Sequence, residues 1–83
     1  MEIVNWKGIA ESLLFAAGDE GLSLKQIAHV LEVEENQARE IMDSLMEDYN
    51  TSSRGIMAVE LAGTFQLVTK KEFSPYLKKL VES

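Results

Sequence analysis

The sequence predicts a small domain, mainly α with a β-hairpin (α+β), in the order helix, helix, helix, hairpin, helix. Three observations predict it. Apolar residues recur at three- and four-residue steps in four separate stretches, the mark of amphipathic helices. Leu22-Ser23-Leu24-Lys25-Gln26-Ile27 is a sharp helix start that sets two of those stretches close together. IMAVELA and TFQLVT, at 56–62 and 64–69, are rich in β-branched and aromatic residues and meet around Ala62-Gly63-Thr64.

The first helix is expected over about 5–17, where Trp6, Ile9, Ala10, Leu13, Leu14 and Ala17 share one side. Asn5 is its candidate N-cap, able to accept one of the unpaired backbone N–H groups of the first turn. The glycines of GDEG (18–21) bracket a turn. Ser23 and Gln26 then have the spacing of a reciprocal capping box, with Leu22 able to pack on Ile27 as a staple. The second helix runs to about Leu31 and buries Leu24, Ile27, Ala28 and Leu31. A connection of about three residues, 32–34, leads to a third helix whose inner stripe is Ala38, Ile41, Met42, Leu45 and Tyr49, with Met46 at its edge. Two helices joined so tightly have helix-turn-helix geometry. The loop 50–55 precedes the hairpin, in which Gly63 supplies the positive φ of a tight turn. Ser74-Pro75 is read as N-cap and first position of the last helix, with Tyr76, Leu77, Leu80 and Val81 on its apolar side. The whole is a winged helix-turn-helix, with 56–69 as the wing.

At 83 residues this is one domain, small enough that burial on folding is modest and a partner covering apolar surface would add stability. There is no cysteine, which excludes disulfides and thiolate metal sites. MEIVNWKG lacks the segments of a secretion signal, and the longest apolar run, LLFAA, is too short to span a membrane. The expected location is the cytoplasm. The net charge of −6 is unevenly spread: residues 1–50 hold eleven acids and three bases, residues 51–83 three acids and five bases. Such a dipole disfavours nonspecific DNA binding by the first part and can orient protein partners.

ESLLFAAGDEGLSLKQIAHVL, followed by RGIMAVELAGTFQLVTKKEFSPYLKKL, resembles the N-terminal domain of segregation and condensation protein B. The likeness covers roughly residues 5–81. That family is a bacterial partner of the structural-maintenance-of-chromosomes (SMC) ATPase and its kleisin subunit. The resemblance implies a homodimer formed through this domain, and a second winged helix, absent here, through which kleisin is mainly gripped. It further implies a nucleoid-associated role through the complex, reaching the SMC ATPase only indirectly.

The residues themselves test one competing function. In a helix-turn-helix the third helix ordinarily enters the major groove, yet its outward half here is Asn36, Gln37, Glu40, Asp43, Ser44, Glu47 and Asp48. Four of these seven are acidic and none is basic, with Arg39 toward the edge. Groove reading needs cations for phosphates and donors at base edges, and carboxylates oppose approach within the Debye length of ~8 Å. Direct DNA binding by this helix is therefore not expected. The acids are either a solvated face or a docking surface for a basic partner segment. The alternative function is an acidic fragment of a transcription regulator that touches DNA through the basic cluster Lys70, Lys71, Lys78 and Lys79 on the wing's end and last helix.

Two apolar surfaces are candidate protein interfaces. Val4, Gly8, Ser12 and Phe15 step by four, four and three along a second ridge of the first helix, with Phe15 as aromatic anchor. Either a second copy covers that ridge, or the hairpin or last helix of the same chain does. On the wing, Met57, Val59 and Leu61 alternate with Ile56, Ala58 and Glu60, so both faces of that strand are largely apolar. No catalytic, metal or cofactor residues are expected: His29, the one histidine, falls on a polar helix side, GDEG lacks a phosphate-loop pattern, and no nucleophile–base pair can be named.

Overall fold

A computed structural model describes residues 4–82. Helix α1 (Trp6–Ala17) begins where expected, with Asn5 Oδ1 accepting from the Gly8 N–H at 2.9 Å. A 3-10 turn (Gly18–Glu20) leads to strand β1 (Leu22–Ser23) and helix α2 (Leu24–Leu31). Helix α3 (Glu35–Asn50) follows, then β2 (Ile56–Leu61) and β3 (Thr64–Thr69). A second 3-10 turn (Lys71–Phe73) runs into α4 (Ser74–Glu82). The capping box of α2 is complete: Ser23 Oγ accepts from the Gln26 N–H at 3.1 Å and Gln26 Oε1 accepts from the Ser23 N–H at 2.8 Å.

The sheet departs from the expected hairpin. It has three antiparallel strands in the order β1-β3-β2, because Leu22 and Ser23 pair with Phe65 and Thr64. Two residues are too few to carry an alternating pattern, and these two already serve the start of α2. Gly21 makes the pairing feasible. Its φ is +65°, and a Cβ there would lie 2.4 Å from the Phe65 carbonyl oxygen. Across the hairpin Leu61 pairs with Thr64, leaving Ala62-Gly63 as a two-residue turn with φ of 53° and 78°. Gly63 behaves as expected, but Ala62 adopts the left-handed region as well. So does Glu32 after α2, at φ 58°, where its N–H reaches the Ala28 and His29 carbonyls.

The core lies between the three helices and the inner face of the sheet. Ala10 and Leu14 meet Ile27, Ala28 and Leu31 from α2, then Ala38, Met42, Leu45 and Tyr49 from α3, with Ala58 and Phe65 closing it from the wing. Ile41 and Leu24, expected inside, are only half-buried at the margin. Packing of this kind, at roughly 1.5–3 kcal/mol for each large side chain removed from water, holds α1, α2, α3 and the sheet as one unit.

The last helix differs in two respects. Ser74 is not an N-cap: its φ and ψ are −52° and −41°, already helical, since the 3-10 turn feeds directly into α4. Pro75 still sits in the first turn, where a missing N–H costs nothing. Also, no residue of α4 is buried, and Tyr76 and Val81 are 71% and 84% exposed. The helix packs chiefly on the turn before it, and the molecule is elongated, at 48 × 25 × 18 Å.

Candidate protein-interaction surface

On the outer ridge of α1, Phe15 is 80% exposed; Val4, which precedes the N-cap and lies outside the helix, is open too, as is Ile9 at the margin of the core-facing stripe. The hairpin and α4 of the same chain therefore do not cover Phe15, which removes that alternative. The small residues of the ridge have local reasons. A Cβ on Gly8 would come 2.6 Å from Asn5 Nδ2, so the glycine makes room for the cap that starts the helix. Ser12 Oγ donates to the Ile9 carbonyl at 2.7 Å.

The outward half of α3 is exposed at all seven expected positions. Its one cation is already committed. Arg39 donates to both carboxylate oxygens of Glu60 on β2, at 2.7 and 2.9 Å, and its guanidinium stands 5.3 Å from the Phe65 ring centroid. The hydrogen bonds from Arg39 hold the Glu60 carboxyl below the usual carboxylate range. Arg39 thus fastens α3 to the wing instead of projecting toward a ligand. Sequence reading placed Arg39 at the helix edge but had no signal for Glu60 as its partner, because the pair spans 21 positions.

On the wing, Met57, Val59 and Leu61 share one side of β2, opposite to Ala58. They are not equally open: Met57 and Val59 are half-buried, Met57 reaching the core, while Leu61 is 61% exposed. Met57, Val59 and Val68 floor a shallow groove of ≈ 490 Å³, rimmed by Asn50, Lys70, Lys71 and Glu72. The basic cluster is divided. Lys70 is half-buried and donates to the Ser52 carbonyl at 2.8 Å, whereas Lys71, Lys78 and Lys79 are exposed.

A second cleft, ≈ 290 Å³, lies between α1 and the end of α3. Its walls are tied by a Lys7–Asp48 ion pair of 2.8 Å and by the Tyr49 hydroxyl, which donates to the Glu11 carboxylate. Burial, aided by that hydrogen bond, pushes the Tyr49 pKa up to about 12. These contacts brace the packing of α1 on α3. Among the described residues, no three histidine, aspartate or glutamate side chains gather to hold a metal ion, and no helix is long and apolar enough to cross a membrane.

The chain is similar to known proteins over most of its length. Segregation and condensation protein B of Bacillus subtilis (strain 168) is 54% identical over 82 residues, covering 99% of this chain and 42% of the relative. That of Geobacillus thermodenitrificans (strain NG80-2) is 61% identical over 77 residues, covering 93% and 37%. The chain thus spans about two-fifths of the length of these curated relatives. A crystal structure of a dimer of the ScpB N-terminal domain complexed with ScpA peptide superposes with a TM-score of 0.85 at 60% identity, covering 88% of this chain and 84% of that one. ScpB from Mycobacterium tuberculosis, at 19% identity and a TM-score of 0.84, covers 98% of this chain and 51% of its own, and shares the fold. The model of the family described as segregation and condensation complex subunit ScpB matches residues 8–83, and the chain belongs to that family.

Proposed function

We propose that this chain is the non-catalytic dimerisation and scaffold domain of a chromosome segregation and condensation complex. It acts with a kleisin subunit and, through kleisin, with the SMC ATPase, in the cytoplasm at the nucleoid. The observation that carries this reading is the open apolar ridge around Phe15, in a chain 60% identical to a domain crystallised as a dimer with ScpA peptide. The anionic exterior of α3 and the capture of Arg39 by Glu60 count against the alternative of a DNA-reading regulator. We further read the domain as the first of two winged helices in the intact protein. The second would carry most of the grip on kleisin, while the relative's complex supports a kleisin contact on this domain too.

Sedimentation equilibrium tests the dimer. The wild-type chain is expected to sediment as a dimer, and Phe15→Glu as a monomer with an unchanged circular dichroism spectrum. A dimeric Phe15→Glu would remove this ridge from the interface, and a monomeric wild-type chain at high concentration would end the dimer reading. Co-purification of the two-winged-helix protein with its kleisin tests the partner.

A further inference from the structure

We infer that the outer face of the wing holds an amphipathic segment of the kleisin partner, its apolar residues on Met57, Val59 and Val68 and its carboxylates at Lys70 and Lys71. The inference rests on the kleisin contact proposed above and gives it a place and a chemistry. In an antiparallel pair with one face on the core, the other face is ordinarily polar. Here the inner face brings Ala58 and Phe65 to the core, yet the outer face is largely apolar as well. Met57 lies opposite Val68, Val59 opposite Gln66 and Leu61 opposite Thr64, so four apolar side chains share that face with two polar ones. The strip runs ~13 Å from the groove to the wing tip, at ~3.3 Å per residue. An open apolar strip with a polar rim is the mark of a protein-binding face.

Docking by side chains is the mode this face allows. Strand addition along the free edge of β2 is closed at its middle, because Ala58 is only 3% exposed, main chain included. Charge then selects the occupant. The groove is rimmed by Lys70 and Lys71 against Glu72, in the stretch 51–83 that holds five bases and three acids. Lys70 is fixed in place by its bond to the Ser52 carbonyl, and Lys71 is exposed. Nucleic acid would meet those cations with phosphates but bring no apolar side chain to the strip. The acidic face of this chain's own α3 brings none either, since its seven outward residues are all polar. The exposed face of α4 is apolar, but it carries Lys78 and Lys79 toward the two rim lysines. A peptide segment with apolar residues beside Asp or Glu satisfies both the strip and its rim.

The test titrates the purified kleisin subunit into this chain by calorimetry. The wild-type chain is expected to bind, and Val59→Glu to bind about tenfold more weakly. Lys71→Glu should bind about threefold more weakly at low salt, with the difference lost at high salt. Lys71 is exposed, so its reversal leaves folding untouched even where a carboxylate at half-buried Val59 disturbs the wing. The absence of cysteine allows a second measurement. Val59→Cys carrying a benzophenone maleimide should cross-link to a kleisin segment with apolar residues beside Asp or Glu. Affinity that Lys71→Glu leaves unchanged at low salt, or capture of a segment without carboxylates, overturns the inference while the kleisin contact stands. Kleisin that does not bind the wild-type chain overturns both. A weaker dimer in Lys71→Glu with unchanged kleisin affinity would give this face to a second copy, and overturns the inference too.

Discussion

At the scale of single residues, Ala62 and Gly21 hold backbone conformations that a Cβ resists, and Tyr49 carries a shifted pKa. Ala62 occupies the left-handed region at the first position of the hairpin turn, which costs an L-residue with a Cβ about 1–2 kcal/mol. Asparagine tolerates that region, and Asn-Gly is the preferred two-residue pair for such turns. Ala62→Asn should therefore raise stability by ~0.5–1 kcal/mol, read as a higher urea midpoint at unchanged slope. Gly21 is the opposite case, because both its φ and the nearby Phe65 carbonyl demand the absence of a Cβ. Gly21→Ala should cost roughly 1–3 kcal/mol by the same measurement, with the β1–β3 amides losing hydrogen-exchange protection first. For Tyr49, burial and the Glu11 carboxylate raise the folded pKa from 10.0 to about 12, so the protonated hydroxyl is favoured by folding. That contribution is complete below pH 10 and disappears as pH rises from about 10 to about 12, where the unfolded chain ionises first. Stability measured across that window should fall more steeply in the wild-type chain than in Tyr49→Phe. Equal slopes would mean that the hydroxyl is not protected by the fold.

Among elements, legibility in the sequence followed the length of the signal. The helices α1, α2 and α3 announce themselves through many periodic positions and through caps that need only three residues of context. The Ser23–Gln26 box formed as the spacing implies, and Ser23→Ala should cost ~1 kcal/mol in the denaturation midpoint. Strand β1 could not be read, because its two residues pair with β3 some forty positions away and carry no periodicity of their own. The Arg39–Glu60 bond was hidden for the same reason: it depends on how the wing folds back on α3, a tertiary fact. In α4 the apolar side was legible, but its exposure was not, since an amphipathic pattern states that a face wants cover and is silent on which body provides it. The site shared this limit. Phe15 was readable as an apolar residue out of register with the core, and Leu61 only as part of one of two largely apolar strand faces, whereas the openness of the α4 face required the folded molecule.

At the scale of the whole molecule, charge decides between protein and nucleic acid as partner. A net charge of −6 sets an average field that repels a polyanion. Of the four lysines in the basic cluster, Lys70 is tethered to the Ser52 carbonyl, leaving Lys71, Lys78 and Lys79 exposed. Three phosphate contacts would give a salt dependence of about −2.7 in the log–log slope, so any weak attraction seen in dilute buffer should fade rapidly on adding salt. Titration of labelled duplex DNA is therefore expected to give no saturable binding at physiological salt. Any binding at low salt should be no tighter for one sequence than for another. Lys71→Ala combined with Lys78→Ala and Lys79→Ala should abolish that residue of binding yet leave the core intact, since none of the three is buried. Sequence-selective binding that survives physiological salt and is lost in the triple variant would restore the regulator reading. The wing's basic end would then be the reading surface, and the acidic α3 merely its scaffold.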